Sequence, residues 1–433
     1  MNSGSPGWRP DDAAAVGGVG SPVMVSAART SPSRSRPLEN ERRSFLYPAR
    51  VGPVNRSPAT PWGIGARVDR VTVRVGFLGG GFIARYHHFM LGASGADVEL
   101  VGVHDPDPAK ASGFAEASGA PVVADEDDLI ARSDAVYVCT WTAEHPRLVA
   151  AVVSAGRAVF CEKPLAVDLD GATRLCAAVA AAGVVNQVGL VLRDSPALRW
   201  LARRVAEEGD GAPLTVLFRD DQYLPTQGQY GSVWRGDRTL AGAGTLLEHS
   251  IHDLDVLEWI MGPVERVAAT TAQHHGLDGI EDLAVVTLHF ASGATGTLTS
   301  IWHDHLGRES SRRIEVFRDR ALYTLEGDLW GPVHWSRSPT DHGGESEIGT
   351  LEGRPLTASL EAEGVDLRNP DGAFIDAVAS GTPAHPDVAV ALRAHVLADA
   401  VYRSAGLAGT PVPVPPGVPA GDGSSDQPNG ATP

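Results

Sequence analysis

A lysine in the segment Ala158 to Leu165 is the first candidate for chemistry in this chain. The protein contains 36 lysine and arginine residues, and only Lys110 and Lys163 are lysines. An arginine keeps its charge at any working pH, whereas a lysine in a partly dry pocket can give or take a proton. Lys163 follows an apolar run and Glu162, which places it at the end of a predicted strand. An ordinary solvated strand end fits this position equally well, so the neighbouring motifs must decide between a functional lysine and a surface lysine.

A second candidate site comes later in the chain, at Trp234, Arg235, Glu248, His252 and Asp255. Glu248, His252 and Asp255 are separated by four and then by three residues. A helix that begins near Leu246 would therefore place all three on one face. Polar side chains beside an apolar stripe predict the wall of a pocket, and a solvated face with local salt bridges is the alternative.

A glycine-rich turn follows the alternating apolar residues of Val71 to Phe77. It has the pattern G-x-G-x-x-A, in which Gly79 and Gly81 precede Phe82 and Ile83. Glycines let the backbone turn tightly and approach a pyrophosphate, and the helix that follows offers free N–H groups and positive potential. The pattern predicts that these four residues bind a dinucleotide.

An acidic residue follows the next apolar segment, Val98 to Val103. Asp105 stands where a carboxylate would hold the adenosine ribose diol of a dinucleotide, and a helix cap is the alternative. No arginine or lysine follows before Lys110, so a ribose 2′-phosphate would meet an acid without an obvious cation. The sequence therefore favours NAD over NADP.

Helical and apolar segments alternate through the rest of this first unit. The predicted helices cover residues 125–132, 146–155 and 169–182, and the predicted strands cover 135–140, 158–161 and 184–192. Strands of this kind form a parallel sheet that is buried on both faces and binds ligands beyond its carboxyl ends. We expect Thr140, Thr142, Glu162 and Lys163 at such ends. His145 begins the following helix, where a capping or surface role is as good an interpretation as cofactor contact.

The character of the sequence changes after a predicted helix at residues 196–207. Strand-like runs then dominate, at residues 214–222, 264–273, 283–290, 294–302, 313–317 and 321–326. Short turns between neighbouring runs, such as Ala291-Ser292-Gly293, indicate antiparallel pairing. The sequence thus predicts an α/β protein with a dinucleotide-binding domain at 71–195 and a C-terminal α/β domain at 196–412, whose open sheet is mostly antiparallel.

Both ends of the chain, residues 1–70 and 413–433, are predicted to be disordered. They are rich in Ser, Pro and Gly and have no sustained apolar periodicity. The segment Glu41 to Leu46 resembles a twin-arginine export signal, but Tyr47 to Ala66 lacks the apolar run that should follow it. An extension produced by an early start codon is the other interpretation.

Net charge and cysteine content narrow the classes of function. The formal charge of −17 makes nucleic acid and an anionic membrane surface unfavourable partners. Three cysteines without a Cys-x-x-Cys pair indicate neither a disulfide framework nor a thiolate zinc site. No apolar run approaches the ~20 residues that span a bilayer. Glu248 and His252 could both ligate a metal, but no third ligand is evident, so we expect a cytoplasmic protein without a metal.

Taken together, these motifs resemble the Gfo/Idh/MocA oxidoreductases, whose relatives include inositol and glucose–fructose dehydrogenases. The resemblance covers about residues 71–412 and rests on the glycine turn, Thr140 to His145, Glu162-Lys163-Pro164, Trp234-Arg235, the His252 and Asp255 segment, and the closing segment Ala400 to Ser404. It implies a Rossmann domain joined to a mostly antiparallel α/β domain, with the nicotinamide between them. Two positions depart from the family pattern. Its Thr-Pro-Asn is Thr140-Trp141-Thr142 here, and its aspartate four residues before the histidine is Glu248.

The resemblance implies that a secondary alcohol of a sugar, cyclitol or related polyol is oxidised, with the hydride passing to the nicotinamide. His252 would be the base, and Glu248 would orient it. Lys163 would hold the reacting oxygen and the nicotinamide ribose, with Glu162 steadying it.

Substrate contacts are expected from Trp234, Arg235 and Asp255, and Tyr223 and Tyr230 could also stack on a sugar face. Two other functions stay open. One is a glycoside hydrolase that works through transient oxidation with tightly held NAD, and the other is a non-catalytic nucleotide or sugar sensor. The presence of both the lysine and the histidine weighs against a sensor. The exposed open sheet predicts a homodimer or homotetramer.

Overall fold

A computed structural model describes residues 71–228, 230–305, 310–327, 329–339 and 344–417. The N-terminal extension that was predicted to be disordered, with its twin-arginine-like segment, lies outside the described residues. Residues 418–433 of the predicted tail also lie outside them. The fold below therefore concerns the two predicted α/β domains.

Short apolar strands that alternate with helices form the first layer. The elements are β1 (Val73–Leu78), α1 (Phe82–Ser94), β2 (Val98–His104), α2 (Pro108–Ser118), α3 (Glu126–Arg132), β3 (Ala135–Val138), α4 (His145–Ser154), β4 (Ala158–Cys161), α5 (Leu169–Ala182) and β5 (Asn186–Val188). In this part of the chain the strands form a five-stranded parallel sheet in the order β2-β1-β3-β4-β5. The sheet is buried on both faces, as the near-continuous apolar composition of β3 and β4 predicts. The predicted parallel sheet is confirmed.

The last strand of this sheet is shorter than the predicted segment 184–192. Pairing ends at Val188, and a 3₁₀ turn covers Val191–Asp194. Gly189 follows the strand, and a Cβ at this position would lie 2.2 Å from Oε1 of Glu162. Leu190 and Leu192 are buried by the turn rather than by strand pairing. The predicted strand is therefore wrong beyond Val188, because these apolar residues are buried without strand pairing.

The second layer contains long strands with helices on one face. Its elements are α6 (Pro196–Ala206), β6 (Pro213–Tyr223), α7 (Arg238–Ala241), α8 (Thr245–Glu248), α9 (Ile251–Met261), β7 (Val264–Ala272), β8 (Leu283–Phe290), β9 (Thr295–His303), β10 (Ser311–Arg318), β11 (Ala321–Glu326), β12 (Val333–Arg337), β13 (Glu347–Leu351), α10 (Gly353–Ala362), α11 (Pro370–Ser380), α12 (Val388–Gly406) and β14 (Val412–Pro413). Within the described ranges, nine strands form one sheet in the order β13-β12-β11-β10-β6-β9-β8-β7-β14. The pair β6 and β9 is parallel and the other pairs are antiparallel. The predicted open, mostly antiparallel sheet is confirmed.

The C-terminal helices return to the first layer. Phe374 and Ile375 of α11 are buried in the same core as β1 and β3, and Val388 of α12 joins the core beneath β4. The first layer therefore includes residues that a boundary at 195 assigns to the second domain. At the other end of α12 the fold continues to β14, where Pro413 pairs with Arg266, although the predicted tail begins at residue 413.

None of the helices in the described ranges is long and apolar enough to cross a membrane.

Candidate active site

A cavity of about 310 Å³ opens at the carboxyl ends of the strands of the first sheet. Most of the predicted site residues line it: Gly79, Gly81, Phe82, Ile83, Asp105, Thr140, Thr142, Glu162, Lys163, Trp234, Arg235 and Glu248. His145, His252 and Asp255 are not among the lining residues. Parallel strands bring their carboxyl ends to one edge of a sheet, so residues separated by more than 80 positions in sequence meet here.

The glycine turn after β1 has the geometry that a dinucleotide requires. Gly79 has φ of 98°, and a Cβ there would lie 2.5 Å from the carbonyl oxygen of Cys139. Helix α1 begins at Phe82, and its N-cap residue Gly81 provides no side-chain cap. An uncapped helix N-terminus beside a close turn fits a pyrophosphate.

Asp105 lies next to this turn. Its Oδ2 accepts a hydrogen bond from the Gly80 N–H at 2.8 Å, and its Oδ1 accepts one from the Asp107 N–H at 2.8 Å. The cap of α2 is Asp107, whose side chain accepts from Ala109. The structure therefore does not support the helix-cap alternative for Asp105, whose carboxylate faces the cavity.

Lys163 stands directly after β4, and its side chain lines the cavity. Its Nζ donates a hydrogen bond to the backbone carbonyl of Glu248 at 2.7 Å. Burial, together with the positive charge of Arg235, lowers the pKa of this amine. The contact joins the end of the first sheet to the start of the second predicted motif.

Glu248 contacts the loop after β3 and not the histidine that it was predicted to orient. Its Oε1 accepts from Thr142 Oγ1 at 2.6 Å, and its Oε2 accepts from Arg235 Nε at 3.1 Å. The single helix predicted from Leu246 is wrong, because α8 ends at Glu248 and α9 begins only at Ile251. The break between these helices removes the common face that the four-residue spacing suggested.

His252 is buried in the first turn of α9. Its Nδ1 has no hydrogen-bond partner among the described residues. Burial lowers the pKa of His252 well below its ordinary value, and the charges of Lys163, Arg312 and His249 add to this. The ring is consequently neutral at neutral pH and keeps a nitrogen that can accept a proton.

Asp255 and His145 have other partners. Asp255 is predicted to contact substrate, but it forms a two-point ion pair with Arg193, with N–O distances of 2.7 and 2.8 Å. The ring nitrogens of the buried His145 lie 2.8 Å from the carbonyl oxygen of Pro164 and 3.2 Å from that of Thr140. Asp255 thus fixes the segment after β5, and His145 fixes two loops that line the cavity. Neither side chain lines the cavity.

A charged cluster beside the cavity was not predicted from the sequence. His249 lines the cavity, and its Nε2 lies 2.8 Å from Asp220 and 3.1 Å from Arg312. Arg312 also pairs with Asp253, and burial with the nearby Asp220 raises the pKa of Asp253 to about 7. One signal was available, since Asp220 continues the buried alternation of Val216 and Phe218 along β6.

Of the aromatic residues predicted to stack on a substrate, Trp234 and Tyr230 line the cavity. Tyr223 is not among the lining residues. The described residues contain no group of three or more His, Cys, Asp or Glu side chains that could hold a metal ion.

Comparison with known proteins agrees with this fold. Residues 73–190 match the family model described as the GFO/IDH/MocA oxidoreductase family with an NAD-binding Rossmann fold, and residues 198–324 match the model of the GFO/IDH/MocA C-terminal domain. An inositol 2-dehydrogenase of Cereibacter sphaeroides is 28% identical over 357 residues, covering 79% of this chain and 97% of the relative. A 1,5-anhydro-D-fructose reductase of Ensifer adhaerens is 32% identical over 226 residues, covering 51% of this chain and 66% of the relative. A levoglucosan dehydrogenase, solved with NADH and levoglucosan, superposes with a TM-score of 0.70 at 20% identity, covering 80% of this chain and all of that one.

Proposed function

Because the chain belongs to the Gfo/Idh/MocA family of NAD-binding oxidoreductases, we propose that it is a dehydrogenase of sugars, cyclitols or related polyols. It would transfer a hydride between a secondary alcohol of the substrate and the nicotinamide of NAD. One observation carries the proposal. Lys163 lines the same cavity as the glycine turn and Asp105, so its amine stands beside the groups that suit a dinucleotide.

The residues at the edge of the first sheet suit the cofactor. The Gly79 turn and the N-terminus of α1 would hold the pyrophosphate, and Asp105 would accept hydrogen bonds from the adenosine ribose. A 2′-phosphate would be repelled by that carboxylate, which supports NAD over NADP. Bound NAD supplies the hydride acceptor for the alcohol carbon.

The polar residues of the cavity wall would handle the proton. As the alcohol is oxidised its hydroxyl proton must leave, and a base with an accessible lone pair must receive it. Lys163 lines the cavity and would contact the reacting oxygen, while His252 is buried outside the lining and is neutral. We assign Lys163 to hold the reacting oxygen and His252 to receive the hydroxyl proton. Glu248, with its bonds to Thr142 and Arg235, would fix the wall rather than the histidine.

The substrate class follows from the remaining lining residues and from the relatives. Trp234 and Tyr230 offer aromatic surface for a sugar face, and Arg235 and His249 offer polar groups for hydroxyls. The relatives named above act, by their names, on inositol and 1,5-anhydro-D-fructose. Together they support a polyol with neighbouring hydroxyl groups.

A spectrophotometric assay tests this function. The purified full chain, incubated with NAD and a panel of inositols, aldoses and sugar acids, is expected to form NADH with at least one substrate. Lys163→Ala should lower turnover far more than NAD affinity, because it removes the amine that would contact the reacting oxygen. Absence of NADH with every substrate would refute the dehydrogenase. Glycoside cleavage without net NADH would favour the redox-assisted hydrolase, and tight NAD binding with neither reaction would favour a sensor.

The same proposal includes self-association. Leu217 on β6 and Phe317 on β10 are exposed on the outward face of the nine-stranded sheet. Apolar side chains on an open sheet face support a homodimer or homotetramer in which this face is covered.

A further inference from the structure

Three buried histidines surround the segment that carries Lys163. His87 Nε2 lies 2.9 Å from Oε1 of Glu162, His145 Nδ1 lies 2.8 Å from the carbonyl oxygen of Pro164, and His395 Nε2 accepts the Leu165 N–H at 3.0 Å. None of the three rings is more than 2% exposed. They come from α1, α4 and α12, so helices far apart in sequence converge on four consecutive residues. We call these three residues the histidine clamp.

The first member of the clamp bridges two carboxylates. The Nδ1 of His87 lies 2.7 Å from Oδ1 of Asp371, and its Nε2 contacts Glu162. A neutral imidazole has one N–H, so only the doubly protonated ring donates to both acids. Burial alone would lower the pKa of His87, but the two carboxylates outweigh it and raise this pKa to about 10. His87 is therefore a buried cation at neutral pH.

This cation acts on the residue beside Lys163. Burial raises the pKa of Glu162, but the bond and charge of His87 overcome this effect, so Glu162 stays a carboxylate. Its Oε2 accepts the backbone N–H of Lys163 at 3.2 Å, and its carboxyl group packs where Gly189 has no Cβ. His87 thus favours the charged form of Glu162 and, together with the Lys163 N–H and the space at Gly189, fixes its position.

The last member of the clamp works in the opposite protonation state. His395 accepts a hydrogen bond at Nε2, so that nitrogen carries no proton. Burial lowers the pKa of this ring to about 4. The backbone N–H of Leu165 is consequently held by a neutral ring, whereas the acid before Lys163 is held by a cation.

We propose that the histidine clamp positions Lys163, and that His87 is a positioning residue for the reaction because it keeps a charged, fixed Glu162 next to that lysine. This inference rests on the proposed function, since it assumes that Lys163 contacts the reacting oxygen. His87 itself lies outside the cavity lining and acts only through Glu162. Misplacing a catalytic group by about 1 Å costs roughly 100-fold in rate.

The pH dependence of the site follows from the groups that face Glu162. These are His87 from α1, His145 from α4 and Lys163, together with the thiols of Cys139 and Cys161, which burial keeps protonated. Lys163 in turn faces Arg235, Glu248 and Arg312. Without the cation of His87, burial would dominate and raise the pKa of Glu162. As the pH is lowered, such a protein would then lose activity at a higher pH than the wild type does.

The kinetic test compares His87→Gln with His88→Gln. Glutamine can donate to one carboxylate but carries no charge, whereas His88 is on the same helix and packs against Phe114. We expect His87→Gln to lower kcat about 10- to 100-fold, to leave the Kd for NAD within about threefold, and to move the acid limb of the kcat profile to higher pH. The double variant with Glu162→Gln should lose little more than either single variant. An unchanged kcat and pH profile, with only a lower melting temperature, would overturn the proposal.

A measurement on the protein without substrate separates this inference from the proposed function. Nitrogen-15 NMR of labelled histidine, with the His87 signal assigned by its loss in His87→Gln, should show a doubly protonated ring from pH 6 to 8. Glu162→Gln should lower the pH at which this ring loses its proton. A neutral single tautomer in the wild type would refute the role of His87 even if the enzyme turns over. If no polyol is oxidised, the proposed function fails while the NMR result still decides the state of His87.

Discussion

The carboxylate of Asp105 should determine the choice between NAD and NADP, and Asp105→Asn tests this directly. Both of its oxygens accept backbone N–H bonds, from Gly80 and Asp107, each at 2.8 Å. A carboxylate oxygen has two lone-pair sites, so each can still accept a bond from a ribose hydroxyl. Asparagine keeps one acceptor oxygen of the same reach but carries no charge.

The size of the effect follows from these contacts. A hydrogen bond to a charged group contributes about 1.5 to 3 kcal/mol, so losing the charge should lower kcat/KM for NAD by about 10- to 150-fold. A 2′-phosphate adds up to about two negative charges, and repulsion by a unit charge at about 4 Å in water is about 1 kcal/mol for each. Removing this repulsion should raise kcat/KM for NADP by roughly 10-fold or more. The ratio of the two values should therefore shift by at least about 100-fold.

The assay measures kcat/KM for both cofactors with one saturating polyol. Asp107→Asn is the matched control, because it removes a charge two residues away while its exposed side chain caps α2 and does not line the cavity. We expect the control to change the cofactor ratio by less than about threefold. An unchanged ratio in Asp105→Asn would refute the assignment of this carboxylate to the ribose. Equal shifts in both variants would show that only long-range charge matters.

Two further predictions concern stability. Phe374→Ala removes a fully buried ring that meets Tyr137 and Phe160 at centroid distances of 5.6 Å. It should lower the free energy of unfolding by about 3 to 5 kcal/mol in urea titrations, whereas the control Leu407→Ala, at an exposed position, should lower it by less than about 0.5 kcal/mol. A small loss in Phe374→Ala would show that α11 does not stabilise the first layer. The pKa of His395 is about 4 in the fold against 6.5 ordinarily, so the unfolded chain binds the extra proton and the fold loses stability as pH falls from 6.5 towards 4. When the pH is lowered from 7 to 5, the free energy of unfolding of His395→Gln should therefore fall by about 2 kcal/mol less than that of the wild type. Equal falls in the two proteins would contradict a neutral, buried ring at His395.

Local sequence patterns were sufficient to predict the first sheet and most of the residues that line the cavity. The turn at Gly79 and the polar residues after β3 and β4 follow apolar strands directly in sequence, and parallel pairing brings strand ends together. Such residues are predictable because their neighbours in space are set by strand direction alone. Lys163 and Asp105 belong to this class, and both line the cavity.

Long-range partners could not be read from spacing. The ion pair between Asp255 and Arg193 joins positions 62 residues apart, and the pair of His87 with Asp371 spans 284. The sequence does not indicate which opposite charge a buried charged side chain will contact. The break between α8 and α9 was also not predicted. The N–H groups of His249 and Ser250 both donate to the carbonyl oxygen of Thr245, which ends α8, and the four-residue spacing of Glu248 and His252 does not reveal this.

The two departures from the family pattern become one feature in the structure. Thr142 stands where the family has asparagine, Glu248 stands where it has aspartate, and the threonine hydroxyl donates to the glutamate at 2.6 Å. A hydroxyl reaches less far than an amide, and glutamate is one methylene longer than aspartate, so each change compensates for the other across the cavity wall. The other oxygen of the same carboxylate holds Arg235, and its backbone carbonyl accepts from Lys163. Restoring only one of the two family residues would therefore leave a buried donor or acceptor without its partner, at a cost of about 1 to 3 kcal/mol, and only the paired exchange would keep the wall intact.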